Sequence, residues 1–411
     1  MTTVPELAVR QVRTVAVDDP GPLLGLLPEA GALAWVRGGD GIVGWGEAAR
    51  IELPGPAPFA DAAAWWSAVV AAAEVDDDVR LPGSGLVAFG SFAFDRGTSV
   101  LVVPEVVVGR SGGTTWVTTA GDGRPVELTA RPPVRAPRRL DVVDTTAPAF
   151  TDAVAEAVAR IQAGQLAKVV LARDVEARLD APVDVRWPLQ QLARQYPACW
   201  TFSVDGLLGA TPEMLVSLRG GEVSSRVLAG TLERSGDATK DQRRSLALGR
   251  SIKDLEEHGY GVRSVVEALG AHCVDVDVPS SPFVLDLANV MHLATDVTGT
   301  VADGASSLDL LASLHPSAAV CGAPTSTARG VIREIENLDR GRYAGPVGWL
   351  DARGDGEWGI ALRCAQVDPD DPARLRLFAG CGIVDGSRPA GELAESGAKL
   401  LAMRSALAPP A

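Results

Sequence analysis

Apolar and polar residues alternate in a pattern that predicts many short strands and a few long helices. Two apolar runs within 31–50 flank a glycine-rich turn at 38–41, which predicts a β-hairpin. The apolar segments 85–95 and 99–110 predict further strands, and 58–75 has the period of a helix. The first part of the chain is therefore predicted to be a sheet with a helix.

A helix followed by a strand is predicted at 151–175. Thr151 is the expected N-cap of the helix, and Gly164 is where the helix should stop. In the strand, the period of two places Lys168 on a face with small apolar residues. Burial of a charged amine costs free energy, so a lysine kept at this position suggests a function. Burial also lowers the lysine pKa and so favours the neutral amine, which can act as a general base.

The segment 118–149 separates the two parts of the chain. It is rich in Pro, Arg, Thr and Gly, which predicts a linker or a long surface loop. We therefore divide the chain into an N-terminal sheet-forming region, 1–145, and a catalytic region, 146–407, and expect the two to form one integrated domain.

Two predicted helices carry acidic residues at helical spacing. Asp254 and Glu257 lie three residues apart in one helix, and Glu392, Glu395 and Lys399 share one face of another. Each set taken alone is typical of a solvated helix surface. If the two helices meet, their carboxylates form an oxygen cage suited to a hard cation such as Mg²⁺.

Two other polar residues interrupt apolar strands. Glu213 stands between two apolar runs and is expected to project from a strand end into a cleft. Residues 343–367 predict a hairpin whose second strand carries Arg363, and the segment 379–382 contributes two glycines. Because Arg binds carboxylates through paired hydrogen bonds, and glycine lets backbone N–H groups approach an anion, these residues suggest a carboxylate pocket.

Lysine is rare in this chain. Of the 38 basic residues only four are lysines, Lys168, Lys240, Lys253 and Lys399. An amine can lose its proton and serve as a base, whereas a guanidinium effectively cannot. A lysine kept in an arginine-rich chain is therefore a candidate for chemistry, with chance retention as the plain alternative.

Composition excludes several classes of protein. The chain has 411 residues, 46% of them hydrophobic, which is enough for a large globular core. A net charge of −14 without a basic stripe argues against nucleic acid as a partner. Five cysteines without CxxC spacing argue against a disulfide framework or a zinc site. We find neither a membrane-spanning apolar run nor a signal peptide, and expect no membrane association and a cytoplasmic location.

Several segments of residues 147–407 together resemble the chorismate-utilising enzymes. The matching stretches include KVVLARDV, GATPEMLVS, LHPSAAVCGAPTSTA and AGCGIVDGSRPAGELAESGAKL. The family includes isochorismate synthase, salicylate synthase, the large subunit of anthranilate synthase and aminodeoxychorismate synthase. The resemblance implies an α/β (α+β) fold, a single unit of two large antiparallel sheets flanked by helices, with the active site in the cleft between them.

The resemblance also implies roles for individual residues. Lys168 would activate water for attack at ring carbon C2, and Glu213 would protonate the hydroxyl leaving from C4. Mg²⁺ would be held by Glu257 and Glu395, with Asp254 and Glu392 beside them. The implied substrate-binding residues are Gly230, His292, Ala319, Val320, Tyr343, Arg363, Gly380, Gly382 and Lys399.

The resemblance is greatest to isochorismate synthases of menaquinone or siderophore pathways. The resemblance implies that Lys168 together with Ala319 favours water over ammonia as the nucleophile, and the chain lacks a tryptophan-feedback segment and a glutaminase-like cysteine segment. We therefore expect chorismate as substrate, Mg²⁺ as cofactor, isomerisation to isochorismate, no glutaminase subunit, and a monomer. A salicylate synthase and a non-catalytic chorismate-binding member of the family are the alternatives.

Overall fold

The fold is built on two β-sheets. The computed structural model describes residues 9–56, 58–121, 128, 131–287 and 290–410, with the side chains at 229, 231, 233, 252–254 and 257 left aside. The strands are β1 (Gln11–Val17), β2 (Leu33–Arg37), β3 (Asp40–Trp45), β4 (Ala49–Pro54), β5 (Glu74–Asp77), β6 (Val87–Ser91), β7 (Thr98–Val103), β8 (Val106–Ser111), β9 (Thr114–Gly121), β10 (Leu140–Val143), β11 (Lys168–Leu179), β12 (Trp200–Val204), β13 (Leu207–Thr211), β14 (Met214–Arg219), β15 (Glu222–Glu233), β16 (Cys273–Asp277), β17 (Phe283–Asp286), β18 (Val290–Val301), β19 (Gly322–Ala323), β20 (Pro346–Asp351), β21 (Gly356–Ile360), β22 (Cys364–Val367) and β23 (Arg374–Ile383).

Helices cover these sheets. Those in the described ranges are α1 (Phe59–Ala72), α2 (Ala147–Gln162), α3 (Arg186–Gln195), α4 (Ala238–Leu248), α5 (Ile252–Leu269), α6 (Ser307–Leu314), α7 (Thr325–Ile335) and α8 (Pro389–Leu407). Helices α1, α5 and α8 lie in the segments where the hydrophobic period predicts them. No helix among the described residues is long and apolar enough to cross a membrane.

The two sheets contain 13 and 10 strands. The first has the order β10-β11-β23-β22-β13-β12-β2-β3-β8-β9-β1-β5, with β19 beside β11; the second has the order β16-β18-β15-β14-β21-β20-β6-β7-β4, with β17 beside β18. The predicted architecture of two large antiparallel sheets flanked by helices is confirmed, although the edge pair β1 and β5 is parallel. Strands from 1–145 and 146–407 pair directly in both sheets, β2 with β12 and β6 with β20.

Apolar side chains fill the space between the sheets. Trp35, Phe89 and Trp358 are each at most 1% exposed there. Burying a large apolar side chain contributes about 1.5–3 kcal/mol, so this layer supplies much of the driving force for folding. A second apolar cluster, which includes Leu189 and Met403, forms where α3 and α8 cover the outer face of the larger sheet.

Two segments predicted as single strands are each broken. The segment 99–110 forms β7 in one sheet and β8 in the other, with Pro104 between them. The second strand of the 343–367 hairpin also changes sheets, from β21 to β22, and Arg363 lies at the break with φ +48°. A residue in the left-handed region cannot continue a β-ladder, so the prediction of one continuous strand was wrong.

The start of α2 also differs from the prediction. The helix begins at Ala147 with Thr146 as its N-cap, so Thr151 lies inside it, and the Thr151 hydroxyl donates to Pro148 O at 2.8 Å. Because proline is tolerated in the first turn of a helix, Pro148 allows the earlier start. Gly164 follows the end of the helix with φ +76°, as a stop residue should.

Candidate active site

The chain crosses between the two sheets twice at neighbouring points. Glu213 lies where β13 passes into β14, and Arg363 lies where β21 passes into β22. Backbone hydrogen bonds join the crossings: Ile360 N–H donates to Glu213 O at 3.2 Å, and Ala210 N–H donates to Arg363 O at 3.3 Å. The sheet register therefore holds a carboxyl group and a guanidinium side by side.

A cavity of about 170 Å³ lies at this crossing. Its wall includes every residue that the family resemblance implies for substrate binding, Gly230, His292, Ala319, Val320, Tyr343, Arg363, Gly380, Gly382 and Lys399, together with Glu213, Glu392 and Glu395. Strands β11, β15, β18 and β23 and helix α8 thus bring together residues that are up to 229 positions apart, from Val170 to Lys399.

Glu213 is set up as a proton donor. Its side chain is 5% exposed, and burial raises its pKa to about 8 against the opposing positive charge of Lys168. A carboxyl group with this pKa keeps its proton at neutral pH. It can therefore give that proton to a departing oxygen, which an ordinary surface carboxylate cannot do.

Lys168 lies at the start of β11 and is 1% exposed. It is not among the residues that form the cavity wall, but Val170, two residues further along the strand, is. The amine is close enough for its charge to lower the pKa of both Glu213 and His258. The structure thus places the predicted base and the predicted acid in one buried region.

Arg363 is held by a buried histidine. Its Nη2 donates to His292 Nε2 at 2.6 Å, so Nε2 is unprotonated and the ring is neutral. Burial, with the charges of Arg363 and Lys399, keeps the pKa of His292 well below its ordinary value, which agrees with that neutral form. Arg363 is 6% exposed, and its Nη1 has no hydrogen-bond partner among the described residues. A buried cationic donor of this kind is suited to an anion in the cavity.

The opposite wall is formed by β23 and α8. A Cβ atom at Gly380 would lie 3.0 Å from Tyr343 Oη, so glycine lets the tyrosine pack against the strand. Lys399 Nζ donates to Gly380 O at 2.8 Å and to Glu395 Oε1 at 2.6 Å. Burial opposes the charge of Lys399, but the ion pair with Glu395 outweighs it and raises the lysine pKa. This lysine stays protonated and acts as a cation, unlike a candidate base.

Two carboxylates of α8 suit a hard cation. Oxygen atoms of Glu392 and Glu395 lie within 4.8 Å of each other and of Cys381 Sγ. Burial raises the pKa of the Cys381 thiol well above its ordinary value, so the thiol is a poor ligand and carboxylate oxygens dominate the donor set. The side chains of Asp254 and Glu257, which the family resemblance adds to the ligand set, lie outside the described residues.

The cavity wall also includes residues that the sequence did not predict. These are Val170, Pro212, Leu228, Arg340, Ala344, Leu362, Phe378 and Ala379. Arg340 is the charged residue of this set, and Glu336, which does not line the cavity, lies four positions before it. In the sequence this i and i+4 spacing looks the same as a solvated surface pair. The apolar residues carry no local sign of the cavity they line.

A protonated carboxyl and a buried guanidinium with an unused donor line one cavity, and a buried amine lies nearby; this arrangement is suited to acid–base chemistry on a small anion. A family model described as "Chorismate binding enzyme" matches residues 126–408, and the chain belongs to that family.

Curated relatives agree with this assignment. Isochorismate synthase DhbC of Bacillus subtilis is 40% identical over 270 residues, covering 63% of this chain and 67% of the relative. The vibriobactin-specific isochorismate synthase of Vibrio cholerae is 40% identical over 241 residues, covering 57% and 60%. The chain thus spans about two thirds or less of these relatives' lengths. A solved structure from Bacillus anthracis, described as a 2,3-dihydroxybenzoate-specific isochorismate synthase, has 32% identity and a TM-score of 0.77 over 94% of this chain and 98% of that one.

Proposed function

We propose that this protein is a Mg²⁺-dependent isochorismate synthase that converts chorismate into isochorismate. The observation that carries the proposal is the buried Glu213 carboxyl, protonated at neutral pH and within electrostatic reach of the Lys168 amine. Moving a hydroxyl group around a ring needs a base for the entering water and an acid for the leaving group. A base and an acid in one buried region supply both.

The proposed reaction is balanced. Lys168 accepts a proton from water as the water oxygen forms a bond to C2 of the ring. The ring double bonds shift, the C4–O bond breaks, and Glu213 gives its proton to the departing hydroxyl group. One water enters and one leaves, so the product is an isomer of chorismate, and proton exchange with solvent restores both side chains.

Substrate binding uses the cationic wall of the cavity. Arg363 would bind the carboxylate of the enolpyruvyl side chain. His292 orients its Nη2, and its buried Nη1 remains available to donate to the substrate. Tyr343 and the backbone at Gly380 lie beside it. Val320 and Leu228 limit the space available to the ring.

Glu392 and Glu395 would hold Mg²⁺, with Glu257 and Asp254 as the further ligands implied by the family resemblance. When bound, Mg²⁺ supplies positive charge to the ring carboxylate beside these acidic side chains. We expect Glu395→Gln to raise the Mg²⁺ concentration needed for half-maximal activity about tenfold or more. Glu257→Gln should do the same. A Mg²⁺ titration that is the same in the variant and in the wild type would remove that residue from the ligand set.

Incubation of the purified protein with chorismate and Mg²⁺, followed by chromatography, tests the proposal. Isochorismate as the main product is expected. Salicylate with pyruvate as the only products would make the protein a salicylate synthase. Chorismate that binds but is not converted, in the presence of Mg²⁺, would make it a non-catalytic member of the family.

A further inference from the structure

A buried ion pair joins the wall of the cavity to the strand that carries Lys168. Arg340 lines the cavity and is 4% exposed, and Glu336, which follows the last residue of α7, is 8% exposed. The pair is bidentate: Arg340 Nε donates to Glu336 Oε1 and Nη2 donates to Oε2, each at 2.6 Å.

The same two side chains also bind the backbone. Arg340 Nη2 donates to Val170 O at 2.7 Å, and Nη1 donates to Val320 O at 3.2 Å. Glu336 Oε2 accepts from Ala172 N–H at 2.8 Å. The pair therefore connects β11 with the loop that contributes Val320 to the cavity, at a point two residues beyond Lys168.

Arg340 fixes a third element. Its carbonyl oxygen accepts from Tyr343 N–H at 2.9 Å, which closes the turn that carries this tyrosine. Its guanidinium lies 4.2 Å from the centroid of the Phe94 ring, which limits its rotation. The side chain of Arg340 thus connects the Lys168 strand to the Val320 loop, and its main chain holds the turn that carries Tyr343.

Fold stability alone does not account for this arrangement. A buried ion pair contributes little more than apolar side chains of the same volume, because desolvation offsets the attraction. What it adds is directional bonding to two backbone carbonyls and one N–H. We propose that Arg340 and Glu336 are positioning residues that hold the base at a fixed distance from the bound ring, an inference that rests on the proposed function.

Replacement of Arg340 by lysine tests this proposal. Lysine keeps the charge but loses the fork that reaches Glu336, Val170 and Val320 together. Because a displacement of about 1 Å can cost about 100-fold in rate, we expect Arg340→Lys to lower kcat about 10- to 100-fold with KM changed less than about threefold. Glu336→Gln should lower kcat in the same way, and the double variant should be no slower than the slower single variant, since both act through one unit.

Arg186→Lys is the matched control. Arg186 and Asp184 form a bidentate pair with side chains 1% and 0% exposed, and neither lines the cavity. This variant should lower the thermal midpoint comparably and leave kcat unchanged. If folded Arg340→Lys keeps the wild-type kcat, or if only its KM rises, Arg340 is a structural or a substrate-binding residue and the proposal is wrong.

A second measurement does not depend on turnover. The rate at which acetic anhydride modifies Lys168, followed by mass spectrometry and normalised to exposed Lys240, should change several-fold in Arg340→Lys and not in Arg186→Lys. An unchanged Lys168 rate in both would overturn the positioning role. Absence of any wild-type product would reject the proposed function, while the modification rates would still decide whether Arg340 positions Lys168.

Discussion

Among the described residues, two neighbouring pairs of sheet crossings share one topology, and of these two pairs only the C-terminal one forms the candidate site. In the N-terminal part, β3 leads into β4 and β7 leads into β8, so the chain changes sheets twice at neighbouring points. Here β3 pairs with β8 and β4 pairs with β7. In the same way, at the C-terminal pair of crossings, β13 pairs with β22 and β14 pairs with β21. Ala48 N–H donates to Val103 O at 2.9 Å and joins the N-terminal strands there.

The acidic residues at the two crossings differ in exposure. Glu47 and Glu105 at the N-terminal crossing are exposed, whereas Glu213 is buried, because β15, β18, β23 and α8 enclose its crossing. The exchange of strands between sheets therefore brings side chains from distant parts of the chain together. Enclosure by further elements then turns a carboxyl group into an acid that is protonated at neutral pH.

The largest effect is expected for Lys168→Ala. Loss of the base should reduce chorismate turnover about 1,000-fold or more, since proton transfer by a positioned group contributes about 10²–10⁴-fold. Chorismate should still bind, which isothermal titration calorimetry measures. Lys240→Ala, at an exposed position of α4, is the matched control and should keep the wild-type rate. A Lys168→Ala enzyme with more than about a tenth of the wild-type rate would disprove the base role.

Paired glutamine variants test whether burial makes Glu213 a catalytic acid. Glu213→Gln should lower kcat about 100-fold or more, because an amide cannot donate the proton that the leaving hydroxyl needs. Glu47→Gln, at the equivalent exposed passage from β3 to β4, should leave kcat unchanged. Steady-state kinetics with chorismate measures both. Equal rates in the two variants would mean that burial of Glu213 serves packing and not chemistry.

A smaller effect is expected for Arg363→Lys. Lysine cannot give two parallel hydrogen bonds and would leave the His292 contact unmade, so KM for chorismate should rise about 10- to 100-fold. Because Lys168 and Glu213 are untouched, kcat should fall less than KM rises. Arg353→Lys, at the partly exposed ion pair with Asp351 away from the cavity, is the control. A wild-type KM in Arg363→Lys would exclude a role in binding the carboxylate.

The smallest effect concerns stability as a function of pH. The folded-state pKa of Glu213 is about 8 and its ordinary value is 4.5, so the folded protein holds a proton that the unfolded chain releases between these values. The contribution of this protonated carboxyl group to the free energy of unfolding is complete below pH 4.5. It is lost as pH rises to 8, at about 1.4 kcal/mol per pH unit. Glu213→Gln should therefore gain stability relative to wild type as pH rises from 5 to 8. Urea titrations at several pH values measure this, and parallel profiles would contradict the buried-acid assignment.

Much of the local structure can be predicted from sequence patterns. The hairpin at 31–50 and helices α1, α5 and α8 follow from hydrophobic periodicity and turn residues, which are local properties. The retention of Lys168 and Lys399 in an arginine-rich chain is visible in the residue order and indicates both lysines as candidates for chemistry. The family resemblance predicted nearly every polar side chain of the cavity wall.

The positions of the strand breaks and the protonation states of the buried side chains depend on contacts between distant parts of the chain. The change of sheets at Pro104 and at Arg363 depends on pairing with distant strands, and periodicity within one segment carries no record of such partners. The tie from Arg340 to Val170 likewise joins residues far apart in sequence. A pKa is set by the three-dimensional surroundings, so the proton on Glu213 and the charge on Lys399 follow from burial and neighbouring groups, which residue order alone does not specify.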